Sequence, residues 1–133
     1  MSDQGRGMEK SKPDQQGSVL QHLLNASRYT LAGLRVAWGE LAFRQELLLG
    51  LILVPAAWLL ALGVWASVLL NLLWLGVLVI ELLNSSLEAV VDLASPEYHS
   101  LAKRAKDMGS AAVGLALLGN LFAWTAALLL RFK

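Results

Sequence analysis

The chain has 133 residues, of which 56% are hydrophobic and only 16% charged, well below the roughly one-quarter charged share of a water-soluble domain. A formal net charge of +1 gives no case for nucleic acid, and the absence of cysteine rules out disulfides, thiolate metal sites and a cysteine nucleophile. A membrane is the expected solvent.

Met1 to Gly17 is polar and lacks the apolar core of a secretory signal. Its Arg6, Lys10 and Lys12 are balanced by Asp3, Glu9 and Asp14, and the stretch is expected to be a disordered tail ahead of one membrane-embedded domain over residues 18–133. Residues 18–39 mix Leu20, Leu23, Leu24, Leu31, Leu34 and Trp38 with His22, Asn25, Arg28 and Arg35 at helical spacing. That pattern predicts an amphipathic helix lying on the membrane surface.

No charged residue occurs from Leu47 to Ile80. As one helix this run would extend about 50 Å, too long for a hydrocarbon core of ~30 Å, so it must turn back on itself. The turn is expected between Ala61 and Ser67, around Gly63, giving spans over about 43–62 and 66–93 with Pro55 inside the first. A third apolar run, Ala111 to Leu130, predicts a last span within a helix over about 101–131. The fold class is therefore all-α integral membrane, a surface helix followed by three transmembrane helices. Arg28, Arg35 and Arg44 precede the first span, and Lys103, Arg104 and Lys106 lie between the second and third. The positive-inside rule then places the amino terminus in the cytosol and the turn near Gly63 outside.

Glu81, Asn84, Ser85, Glu88 and Asp92 recur at spacings that put them on one face of the second span's cytoplasmic half. Carboxylates at a hydrocarbon boundary are costly, and by default they face a bundle interior or a wet cavity and mark a functional site. Glu81 and Glu88 are separated by about 10 Å along one face, so the deeper one suits a base and the shallower one a divalent cation. Glu40 and Glu46, at the mouth of the first span, add acidic candidates, and an oxygen-only set of this kind suits magnesium held together with nucleotide phosphates. After the Pro96-Glu97-Tyr98-His99 loop, Lys103, Lys106, Asp107 and Ser110 recur at helical spacing and bring cations beside the stripe, as phosphoryl transfer requires. A basic cluster touching anionic lipid would look the same. The sequence has no phosphate loop and no protein-kinase signature, and the distant His22 and His99 make no zinc site.

The run from Glu81 through Asn84, Ser85 and Glu88 to Asp92, the triplet Glu97-Tyr98-His99, and Ala105-Lys106-Asp107-Met108-Gly109-Ser110-Ala111 resemble the bacterial membrane diacylglycerol kinases. Gly33-Leu34-Arg35, Trp38, Glu40 and Ala42-Phe43-Arg44-Gln45-Glu46 extend the similarity upstream, so that it covers roughly Ala26 to Val113; His22 stands where well-known members carry arginine. The resemblance implies a lipid kinase of the bacterial inner membrane, which moves the γ-phosphate of ATP to 1,2-diacylglycerol to form phosphatidic acid. It also implies a homotrimer whose active sites are completed between neighbouring chains. By that similarity Glu81 is the general base, supported by Asn84, and Glu40 and Glu88 hold Mg2+ on the ATP phosphates. Tyr29, Glu97, Tyr98, His99, Lys106 and Asp107 match nucleotide-contacting positions, and Arg44, Gln45, Glu46 and Ser110 match positions around the lipid. Undecaprenol kinases share the Glu81, Asn84 and Glu88 pattern, but Met108-Gly109-Ser110 favours the diacylglycerol enzymes. A transporter using Glu81 as a proton site would leave Glu40, Glu88, Lys106 and Asp107 unexplained.

Overall fold

The structure is a computed structural model and describes residues 19–133. The expected disordered tail, Met1 to Gly17, lies outside the described residues. Four helices follow in order: α1 (Val19–Ala37), α2 (Leu41–Leu59), α3 (Val64–Ala94) and α4 (Ser100–Arg131). The chain divides into two units that part between Gly33 and Leu34, within α1. In the first unit, α1 exposes Val19, Leu23, Leu24, Tyr29 and Leu31, and the Ser27 and Thr30 hydroxyls donate to the carbonyls of Leu23 and Ala26 at 2.9 and 3.0 Å.

The second unit holds α2, α3 and α4, all long and apolar enough to cross a membrane, which agrees with the three spans expected. α3 packs against both α2 and α4. The antiparallel register of α2 and α3 is set by two close approaches. Gly50 lies so near Trp74 that a Cβ would overlap the indole Nε1, and the buried Ser67 hydroxyl donates to the Ala57 carbonyl at 2.7 Å. That register brings Phe43, in the first turn of α2, level with Glu81. Between α3 and α4, Gly109 meets the Asn84 side chain equally tightly. At the opposite end, Ala57, Leu70 and Trp124 form a buried cluster joining all three helices.

The expected turn comes earlier and is tighter. Residues 60–63 suffice, because Ala61 (φ 50°) and Gly63 (φ 93°) take the left-handed conformation that reverses the chain in few residues. Ser67 is thus no turn residue; it stands one turn into α3 and reaches back. Its bond matters because the last carbonyls of a helix have no partner of their own. Leu60 N–H donates to Ala56 and Ala61 N–H to Trp58, leaving Ala57 to Ser67, while Arg131 Nε donates to the Leu60 carbonyl at 3.4 Å.

α2, at 19 residues, spans about 28 Å, close to the thickness of a hydrocarbon core, whereas the 31 residues of α3 and 32 of α4 extend about 46–48 Å. The turn end of the bundle is flush, so α3 and α4 overshoot α2 by several turns at the other end. Apart from Arg131, the charged residues of the three helices lie within the first two turns of α2, level with them, or beyond them.

Candidate functional site

Two adjoining zones occupy that end. The first is a group of carboxylates where α2 starts. Phe43, Glu46 and Gly50 share the face of α2 turned to α3, so the spacing that buries Phe43 also buries Glu46, at 8% exposure. Glu81 is buried opposite, at 4%. Glu40 is the N-cap of α2 but makes no capping hydrogen bond with its exposed side chain, so its carboxylate is free for another partner. Glu88 is half-buried and accepts from Asn84 Nδ2 at 3.3 Å. Glu81 lies within electrostatic reach of Glu40, Glu46 and Glu88.

Among the described residues the ion pairs are Lys103–Asp107 and Lys106–Asp92, so none of these four carboxylates is paired to a cation. Glu46 Oε2 and Asn84 Oδ1 are buried without any hydrogen-bond partner. Buried polar atoms are nearly always satisfied, and each exception calls for an explanation. Glu46 Oε2 falls in the carboxylate group, as expected of a site that takes a polar ligand, whereas Asn84 Oδ1 is turned onto Gly109 of α4.

The second zone is a groove of about 480 Å³ between the ends of α3 and α4 and the loop joining them. Asp92 lines it from α3; Glu97, Tyr98 and His99 from the loop; Lys103, Lys106 and Asp107 from α4. Lys106 Nζ donates to both oxygens of Asp92, at 2.9 and 3.1 Å, and bridges the two helices. His99 is the N-cap of α4, its Nδ1 accepting from the Leu101 N–H at 3.2 Å, which leaves Nε2 for other partners. The groove therefore offers ammonium groups, carboxylates and two rings, the chemistry needed to seat a polyphosphate attached to an aromatic base.

Most of the residues expected from sequence come together in these zones. Glu40, Glu46, Glu81, Asn84 and Glu88 form the first; Glu97, Tyr98, His99, Lys106 and Asp107 line the second. Arg44 and Gln45 flank Glu46 on the exposed side of α2, and Ser110 is exposed beside Gly109 on α4. Tyr29 lies exposed on α1 in the first unit. The expected polar stripe on α3 grades from buried Glu81 through half-buried Asn84, Ser85 and Glu88 to exposed Asp92.

The sequence did not reveal Gly109, whose missing Cβ leaves room for the Asn84 amide. Asn120 was also missed; it is 2% exposed, with Nδ2 lacking a partner, deep in α4. A polar residue in the apolar run Ala111 to Leu130 was the signal available.

Known proteins similar to this chain share one description. A family model described as prokaryotic diacylglycerol kinase matches residues 28–128. The diacylglycerol kinase of Pseudomonas aeruginosa is 47% identical over 111 residues, covering 83% of this chain and 90% of that protein. The diacylglycerol kinase of Escherichia coli K12 is 44% identical over 104 residues, covering 77% and 84%, and that of Haemophilus influenzae 44% over 99 residues, covering 74% and 84%.

Proposed function

The chain belongs to the prokaryotic diacylglycerol kinase family, and on that premise we propose that it transfers the γ-phosphate of ATP to 1,2-diacylglycerol, forming phosphatidic acid at the cytoplasmic face of the membrane. The observation that carries this reading is the placement of the two zones. The buried, unpaired Glu81 lies level with the start of α2, where a lipid hydroxyl would sit, and the charged groove opens beyond it, where a water-borne nucleotide would arrive.

In this reading a Glu81 carboxylate oxygen takes the proton from the lipid hydroxyl as the hydroxyl oxygen forms its bond to the γ-phosphorus and the bond to ADP breaks. Asn84 holds Glu88 through its amide and fixes the edge of the site nearest the groove. Arg44, Gln45, Glu46 and Ser110 surround the glycerol end of the lipid, whose ester carbonyls only accept, so that Arg44, Gln45 and Ser110 supply the donors. Lys106 and Asp107, with Glu97, Tyr98 and His99, seat the nucleotide.

The residues present fit magnesium. The donors are oxygen-only, and although no group of three His, Cys, Asp or Glu among the described residues could hold a metal alone, Mg2+ bound with phosphates needs only one or two protein carboxylates. Glu40 and Glu88 would hold it, and their charges, unpaired by any cation, favour its arrival. When bound, it neutralises the phosphate oxygens and aligns them for transfer.

The active unit in this reading is a homotrimer with its amino terminus in the cytosol. Many residues of α4 are exposed, among them Leu115, Leu118, Leu121 and Phe122, and this surface is open to lipid or to neighbouring copies. Light scattering in detergent, corrected for bound detergent, is expected to give three chains per particle.

The decisive assay is magnesium-dependent transfer from γ-labelled ATP to diacylglycerol in micelles, with undecaprenol tested in parallel. Labelled phosphatidic acid supports the reading; phosphorylation of undecaprenol alone would overturn it.

A further inference from the structure

Lys103 closes the first turn of α4, its backbone N–H bonded to the His99 carbonyl at 3.0 Å. A cation there stands at the positive end of the helix dipole, where carboxylates are favoured, and α4 has no acidic residue in that turn. The Lys103 side chain is held by Asp107, one turn further on. In such pairs the order acid-then-base along the helix is the favourable one, and here it is reversed. Both side chains are more than half exposed, 58% and 60%, so water screens the pair and either member can readily leave it. Local helix stability thus gives no reason for a lysine at this position.

The groove gives one. Lys103 and Lys106 line the same space, but Lys106 is engaged by both oxygens of Asp92, so turning it breaks a contact between α3 and α4. Lys103 is tied only to a neighbour on its own helix. It is the ammonium at this wall that can move at no cost to the packing, beside a helix end already positive.

We propose that Lys103 is a further nucleotide-binding residue that exchanges partners during the cycle. In the free protein its ammonium rests on Asp107. When a nucleoside triphosphate enters, several phosphate charges outcompete one screened carboxylate, and the ammonium turns to the phosphates. The Asp107 carboxylate is thereby released to accept from the N–H or O–H groups of the nucleotide. Lys103 and Asp107 act as a latch that is closed when the groove is empty and opens to a polyanion. This inference rests on the ATP-dependent reading given above.

The test compares wild type with Lys103→Gln and Lys103→Arg, both at an exposed position that tolerates substitution. Lys103→Gln is expected to raise the KM for MgATP on the order of tenfold, with a much smaller change in kcat and none in the KM for diacylglycerol, and Lys103→Arg to restore it. Added salt should raise the KM of wild type more steeply than that of Lys103→Gln. Binding of a fluorescent ATP analogue with magnesium, measured without lipid, should weaken in parallel. An active wild type whose KM and salt dependence are matched by Lys103→Gln overturns the latch and leaves the kinase reading standing. A wild type that phosphorylates no diacylglycerol overturns the kinase reading, and equal analogue binding by the two proteins then overturns the latch separately.

Discussion

Lys106 Nζ on α4 bonds both carboxylate oxygens of Asp92 on α3, at 2.9 and 3.1 Å, and this bridge closes the overshooting end of the α3–α4 hairpin. It is well exposed to water, so its contribution to overall stability is small. Its position in the groove matters more. Lys106→Met is expected to leave the thermal unfolding of the detergent-solubilised protein nearly unchanged and to lower kcat/KM for MgATP on the order of a hundredfold. A fall in stability with normal nucleotide kinetics would make the bridge purely structural.

Glu81→Gln removes the proposed base while keeping the shape of the side chain. Activity is expected to fall by roughly 10²–10⁴, mostly in kcat. Because the substitution also removes a buried, unpaired charge, stability should stay level or rise. Steady-state kinetics and thermal unfolding on one preparation check both.

Gly109→Ala adds a single methyl where the Asn84 amide now sits. The amide can rotate away, so the unfolding free energy should drop by only about 1 kcal/mol, at the low end for overpacking. Rotation, however, breaks the bond from Asn84 Nδ2 to Glu88, so activity should fall further than stability does. Asn84→Ala combined with Gly109→Ala should then cost little more activity than Asn84→Ala alone.

Glu88→Gln weakens one proposed magnesium ligand without removing the other. The magnesium concentration giving half-maximal activity should rise on the order of tenfold, and chelation of divalent cations should abolish wild-type activity reversibly. An unchanged magnesium titration would remove Glu88 from the metal site.

Ser67→Ala leaves the Ala57 carbonyl buried and without a partner far from the carboxylates. The expected loss is about 1 kcal/mol in unfolding free energy, with catalysis unaffected. Equilibrium denaturation in mixed micelles reads the first and the lipid kinase assay the second.

The features legible from sequence were those with a period or a length. The spans followed from apolar runs, and the α3 face from the spacing of Glu81, Asn84, Glu88 and Asp92. Pairings between helices could not be read, since Gly50 with Trp74, Asn84 with Gly109 and Ala57 with Ser67 depend on register, which no single segment encodes. The tryptophans show the same limit. All five suited interfacial anchors or packing residues, and only the structure separates buried Trp74 and Trp124 from exposed Trp38, Trp58 and Trp65. The carboxylates were legible because a charge beside an apolar run is conspicuous; Gly109 was not, because its contribution is the absence of an atom.

The shortness of α2 beside α3 and α4 acts as a depth gauge. A substrate whose reactive hydroxyl rides at the height where α2 begins reaches Glu81 with its acyl chains still among those of its neighbours, so no extraction step is needed before or after transfer. Under the proposed function, substrate and product would then move sideways within the leaflet while nucleotide came from the water.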